Sequence, residues 1–339
     1  QNITSDEIKS KIIANSLVVE KAETNIINEI QSLREDIKRN TLPKYLTINV
    51  PVIQESEIIG RKTEIENLYT SLFNKKETVL IRGLGGIGKT TLASVYATKF
   101  SEKYSHIVWI EQFSNNFKEN IINSRGLLFS LGIDKEDKSL EELFQEIMTK
   151  LNTIKDVPCL MVIDNAEYDL CSEFNLLPKQ PNWHVIVTSR EEIPFFHEKE
   201  LGLLSESEAM QLFRKNYKYQ PLSLEFAKKI VKHLDNHTLA IEVLGKTANH
   251  QKKSPLSILN FLEENMKVGV AVKHSMSKID KITSYLCNIF QDLAELTSNE
   301  KFILKQFAYI PPEFHDYQDL ENVLMPYSIT SSNFDDNLL

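Results

Sequence analysis

The chain has 339 residues, 42% of them hydrophobic and 25% charged, with a formal net charge of −8. That length favours two or three domains over one, and the acidic balance disfavours a general nucleic-acid or anionic-membrane binder. Three cysteines, Cys159, Cys171 and Cys287, lack metal-site spacing and fit free thiols in a reducing, cytoplasmic setting, while no apolar run reaches the length of a membrane span.

The chain starts at Gln1 rather than Met and reads as an excised fragment. Within residues 1–40, Ser5 to Arg39 reads as one amphipathic helix, with Ile12, Val19, Ala22, Ile26, Ile30, Leu33 and Ile37 mostly at three- and four-residue steps. It suits either a helix packed on the fragment or a coiled-coil connector. Residues 41–55, with Pro43 and Pro51, read as an extended linker.

From Gly60 onward strand-like and helix-like segments alternate. A helix from Thr63 to Phe73 precedes a strand from Thr78 to Arg82, and a glycine-rich turn opens a helix from Thr90 to Phe100. A strand in "HIVWIEQF" is followed by helical material to about Ile154, then by short apolar runs in "CLMVIDN", "HVIVTSR" and "KELGLLS". Such alternation predicts an α/β domain over 56–205, a parallel sheet sandwiched by helices. Past Ser205 the strand signals stop. "SESEAMQLF" opens with a capping-box pattern, Ser205 and Glu208, so an all-α domain is expected over 206–280.

Four of the ten glycines lie in "LIRGLGGIGKTTLASVY", where Gly83 to Thr90 match G-x-x-x-x-G-K-[ST] between a predicted strand and helix. Glycines let backbone N–H groups converge on phosphate oxygens, and the helix N-terminus adds free donors. Gly83, Gly85, Gly86, Ile87, Gly88, Lys89, Thr90 and Thr91 are therefore the candidate phosphate-binding set. Lys89 is expected to reach the β- and γ-phosphates, and the Thr90 hydroxyl to meet Mg²⁺. Asp164, ending the apolar run Leu160–Ile163, is the second candidate for the metal. Lys89 and Asp164 are the candidate catalytic pair. Asn165 follows and cannot serve as a general base; Glu167 is either a water-polarising group or a solvated turn residue. "Thr188-Ser189-Arg190" ends the neighbouring strand, and Arg190 is placed to report on a γ-phosphate.

These motifs together resemble the STAND NTPases, and among them the NB-ARC group of plant resistance proteins and apoptotic activators with its bacterial relatives. "GLGGIGKTTLA" is close to that group's P-loop, "IIGRKTEIENL" to its entry motif, "VTSR" to its sensor and "LGLLSESEAMQLF" to the lead into its helical domain. The resemblance places backbone around Ile59 at the adenine and Arg61 near the nucleotide, and implies ADP or ATP with Mg²⁺ as ligands. The group's G-L-P-L-A motif stands here as Asn236-His237-Thr238-Leu239-Ala240, so Thr238 replaces its nucleotide-contacting proline and Leu239 follows it. His237 reads as a packing or solvent-facing residue. "LTSNEKFILKQFAYIPPEF" resembles the start of the group's winged-helix domain, expected over 281–339, and "Phe314-His315-Asp316" comes too early to be its histidine motif.

The function implied is an ADP/ATP switch that controls self-association and an effector outside the fragment, with slow hydrolysis at most. A ligand sensed by a missing C-terminal region is implied as partner, without nucleic acid. A turnover ATPase motor and a transcription regulator of the same superfamily are the alternatives.

Overall fold

The computed structural model describes residues 42–112, 116–135 and 138–270. The expected N-terminal helix and winged-helix start lie outside the described residues.

The first helix, α1 (Lys62–Tyr69), continues into a wider π turn at Thr70–Asn74 and delivers the chain to strand β1 (Val79–Arg82). Then come α2 (Lys89–Lys99) and β2 (Ile107–Glu111). The expected helical stretch divides into α3 (Phe117–Asn123), α4 (Arg125–Leu131) and α5 (Leu140–Asn152). Ser124 leaves helical geometry between the first two, and left-handed Gly132 stops the second. Strand β3 (Cys159–Ala166), the short α6 (Leu170–Glu173), β4 (Trp183–Ser189) and β5 (His197–Glu200) complete the sheet domain.

All strand pairs are parallel, in the order β2-β3-β4-β1-β5. Strand side chains alternate between two cores. Leu80, Val108, Ile110, Met161, Ile163, Val185 and Val187 face α3, α4 and α5. Val79, Ile81, Ile107, Trp109, Leu160, Val162 and Ile186 face α1 and α2. A sheet buried on both faces explains why these strands read as continuous apolar runs.

One strand is displaced from the sequence expectation. "KELGLLS", residues 199–205, reads as an apolar strand, whereas β5 is His197–Glu200, polar and half-exposed, and overlaps that run only at Lys199 and Glu200. An edge strand needs only main-chain pairing, here with β1, so its side chains carry little apolar signal. The leucines that follow are used for packing: Leu201 joins the α1/α2 core and Leu204 the helical one.

Residues 42–47 lie along the outer edge of β2, joined to it by a single parallel bridge, Tyr45 to Ile107. Ile107 N–H donates to Lys44 O at 2.8 Å, Leu46 N–H donates to Ile107 O at 2.9 Å, and Thr47 Oγ1 accepts from Trp109 N–H at 2.9 Å. Leu46 is fully buried against the α3–α5 side.

Helices follow: α7 (Glu206–Asn216), α8 (Leu224–His233), α9 (Thr238–His250) and α10 (Pro255–Val270). Ser205 and Glu208 form the reciprocal capping box that the sequence suggested. Phe213, Ile230, Val231, Ile241, Leu244 and Leu262 are among the residues that give these helices a core of their own.

Candidate functional site

The site forms at the carboxyl ends of β1, β3 and β4, where parallel α/β sheets hold ligands. Because β4 lies between β1 and β3, the end of β4 stands between the glycine-rich loop and Asp164. Gly83 N–H donates to Ser189 O at 3.3 Å, which ties the start of the loop to the end of β4.

The loop Gly83–Gly88 turns through two left-handed positions, Gly86 (φ 71°) and Gly88 (φ 102°), where L side chains are strained. Its carbonyls are occupied. Lys89 Nζ donates to Gly83 O and Leu84 O, both at 3.0 Å. His237 Nε2 lies 2.9 Å from Gly85 O, Leu239 N–H donates to Gly86 O at 3.1 Å, and Thr238 Oγ1 donates to Ile87 O at 3.1 Å. Arg61 adds a longer bond to Ile87 O at 3.4 Å. Among the described residues, by contrast, no acceptor of the chain takes the N–H groups of Gly86, Gly88, Lys89 or Thr90. A loop whose carbonyls are satisfied and whose N–H groups are free at a helix N-terminus has the donor set for a phosphate anion.

Lys89 is buried, 8% exposed. Desolvation pushes its ammonium below the usual lysine range; the Arg190 charge adds to that effect and the Asp164 charge opposes it. Arg190 is exposed and leans over the loop, such that a Cβ built on Gly85 would lie 3.5 Å from Arg190 Cζ. Lys89, Arg190 and the free N–H groups thus gather at the loop with no carboxylate bonded to Lys89 or Arg190 among the described residues.

Asp164 is 3% exposed, and its Oδ1 accepts from Thr90 Oγ1 at 2.9 Å and Thr188 Oγ1 at 2.5 Å. The β3–β4 register shifts between Ile163 and Ala166, a bulge that redirects the strand end, with Asn165 left-handed at φ 59°. Asn165 N–H donates to Thr188 Oγ1 at 2.9 Å. The Thr90 hydroxyl and Asp164 carboxylate form an oxygen pair of the hard type that Mg²⁺ takes.

Most of the sequence-selected residues converge here. The loop residues, Lys89, Thr90, Thr91 at the first turn of α2, Asp164 and Arg190 surround one position. Arg61, left-handed at φ 69° and with its side chain 10% exposed, reaches the loop at Ile87 O and also donates to Gly202 O at 2.8 Å. Ile59 packs on the helical core beside it. Thr238 and Leu239 meet the loop from the other side. Glu167 is exposed in the turn after β3, with no bond to the loop.

Two site residues were not singled out from sequence, and for a third, His237, packing and solvent exposure were both open. Thr188 organises Asp164 and Asn165; its only sequence signal was the threonine of "VTSR". Gln112, buried at the end of β2, donates to Asp169 Oδ1 at 3.0 Å while its Oε1 has no partner among the described residues. His237 is 2% exposed, and its Nδ1 accepts from Ala240 N–H at 3.3 Å as the N-cap of α9. Burial pushes its imidazole below the usual histidine range, with the Gly85 bond opposing. It therefore faces the loop, not solvent.

Residues 61–222 match the NB-ARC domain model. Similar proteins include the disease resistance protein SUMM2 of Arabidopsis thaliana, 24% identical over 97% of this chain and 38% of its own length. A nucleotide-binding leucine-rich repeat (NLR)-like protein of Hyaloscypha variabilis is 24% identical over 65% of this chain and 25% of its own. The chain thus spans well under half the length of these curated relatives. Among solved structures, the Walker-type ATPase paby2304 of Pyrococcus abyssi aligns over 86% of this chain and 91% of its own, at 14% identity and a TM-score of 0.46.

Proposed function

We propose that this chain, whose residues 61–222 form an NB-ARC domain of the P-loop NTPase type, is the nucleotide switch of a signalling protein. Its ligands are ADP and ATP with Mg²⁺. One observation carries the reading: the start of α9 is hydrogen-bonded directly to the loop that presents free N–H groups to phosphate. A change at the phosphates is therefore a change at the junction between sheet and helices, which is what a switch requires.

In this reading the N–H groups of Gly86, Gly88, Lys89 and Thr90 cradle the phosphates. Lys89 leaves the carbonyls of Gly83 and Leu84 to meet phosphate oxygen, a short movement for a flexible ammonium. Thr90 and Asp164 hold Mg²⁺, which neutralises phosphate charge when bound. Arg190 reports on the γ-phosphate. Backbone around Ile59 and the Arg61 side chain border the base and sugar. Asp164 Oδ1 accepts from two hydroxyls, which direct that carboxylate to the metal position, and the Asn165 side chain is an amide that cannot serve as a general base. Hydrolysis is accordingly slow and serves as reset.

The division into a nucleotide-binding unit at 56–205 and a helical unit from 206 belongs to the same proposal. So do a winged-helix continuation, a cytoplasmic setting, self-association in the ATP state, and an effector and a sensed ligand handled outside residues 1–339. The names of the relatives support a role in immune signalling. Among the described residues no helix is long and apolar enough to cross a membrane.

The test is binding of a fluorescent ADP analogue, together with steady-state hydrolysis. Micromolar or tighter binding that Lys89→Ala weakens at least about a hundredfold, with turnover far below one per second, is expected. Unchanged binding in the variant overturns the reading, and turnover of many per second favours a motor.

A further inference from the structure

Three consecutive residues at the start of α9 bond three consecutive carbonyls of the loop: His237 to Gly85 O, Leu239 to Gly86 O, and Thr238 to Ile87 O. In each case the other end of the same peptide plane is the N–H of Gly86, Ile87 or Gly88. A donor on a carbonyl polarises and orients the N–H across that plane, and such chains strengthen one another in a low-dielectric interior. The α9 terminus thus lies behind the phosphate cradle without needing to touch phosphate.

His237 can fill its place in only one protonation form. Nδ1 accepts from Ala240 N–H at 3.3 Å, so it is bare; Nε2, 2.9 Å from an oxygen that only accepts, carries the proton. The ring is both the cap of α9 and the donor to Gly85 O. Leu239 closes the contact: a Cβ on Gly86 would lie 2.8 Å from Leu239 Cβ and 3.1 Å from His237 Cε1. No other residue among the described ones bonds Gly85 O.

We propose that His237, supported by Thr238, is a positioning residue that couples phosphate occupancy to the helical bundle through the peptide planes of the glycine-rich loop. The coupling rests on the nucleotide reading above and gives it a route. Phosphate draws on the N–H groups, the carbonyls answer at His237, Thr238 and Leu239, and α9 tightens or loosens as a unit.

The experiment uses the full chain and ADP with Mg²⁺. His237→Asn keeps a capping acceptor at the N-cap but is too short to reach Gly85 O. In the unaltered chain, ADP should slow amide exchange at Leu239, Ala240 and Ile241. In His237→Asn, ADP should still bind, about threefold to tenfold more weakly, and that protection should vanish. Protection around Leu244–Ala248 without nucleotide should stay unchanged. Nitrogen-15 imidazole shifts should show the Nε2–H tautomer in the unaltered chain. Thr238→Val, which deletes one donor and leaves the cap, should lose part of the same protection and stands in if His237→Asn fails to fold.

Equal ADP affinity and equal ADP-induced protection in His237→Asn, or an Nδ1–H tautomer, would overturn the coupling while leaving nucleotide binding intact. Failure of the unaltered chain to bind ADP sinks both readings, and the Lys89→Ala control separates the two cases.

Discussion

Replacing Thr188 with valine keeps the side-chain shape and deletes one hydroxyl. That hydroxyl donates to Asp164 Oδ1 at 2.5 Å and accepts from Asn165 N–H at 2.9 Å, at a residue 1% exposed. Losing a bond to a buried carboxylate costs about 1.5–3 kcal/mol, and stranding a backbone N–H adds about 1. The expected loss is therefore about 2–4 kcal/mol. In a domain of this size that lowers Tm by roughly 5–15 °C. Among the described residues the Asp164 carboxylate then keeps Thr90 alone, so the Mg²⁺-dependent part of ADP affinity should fall as well. Urea unfolding followed by circular dichroism measures the first effect, and ADP titration in Mg²⁺ against chelator measures the second. Thr188→Ser restores the hydroxyl and should recover most of both. A Thr188→Val protein within about 0.5 kcal/mol of the unaltered chain, or a serine variant no better than valine, refutes the assigned role.

Gly86→Ala meets two penalties, a left-handed backbone and Leu239 at 2.8 Å, and should cost about 2–4 kcal/mol in urea unfolding. Gly88→Ala has nothing within 4 Å, so it should show backbone strain alone. Thr238→Pro restores the proline of the resembled motif at the first position of α9, where a missing N–H is tolerated and His237 (ψ 122°) already has the extended geometry proline asks of its neighbour. It should fold within about 1 kcal/mol of the unaltered chain, the cost of one hydrogen bond. A loss above about 3 kcal/mol in unfolding experiments contradicts that geometry. Acid should weaken the fold early. His184, buried and bonded to Tyr104, is pushed down by desolvation to about 4. The unfolded chain takes up that proton near pH 6.5 while the folded chain resists it, so stability is full above that value and lost as pH falls toward 4. About 2 kcal/mol should go between pH 7 and pH 5, with His237 acting in the same direction. Urea midpoints that stay level over that range contradict the burial of a neutral His184.

The parallel sheet was legible because each central strand is buried on both faces and so spells an apolar run. Gly83 to Thr90 was legible because both its chemistry and its place between a strand and a helix are local. β5 was not, since pairing with β1 is main-chain work that leaves "HEKE" free to be charged. Nor was the left-handed turn at Arg61, which neighbours impose on a residue type that rarely adopts it, whereas Asn165 is of a type that tolerates that region. His237 escaped for a related reason. In sequence it is a lone histidine far from the loop; only the docking of α9 brings its ring to Gly85.

The strip at residues 42–47 has a practical consequence. It consumes the outward N–H groups of Ile107 and Trp109, while β5 presents Glu198, Lys199 and Glu200 along the opposite rim. With one rim covered and the other charged, both rims disfavour the addition of a strand from a neighbour. A shortened version of this protein that begins after Thr47 would uncover a bare strand, and its first failure would be sticking to itself rather than losing its ligand.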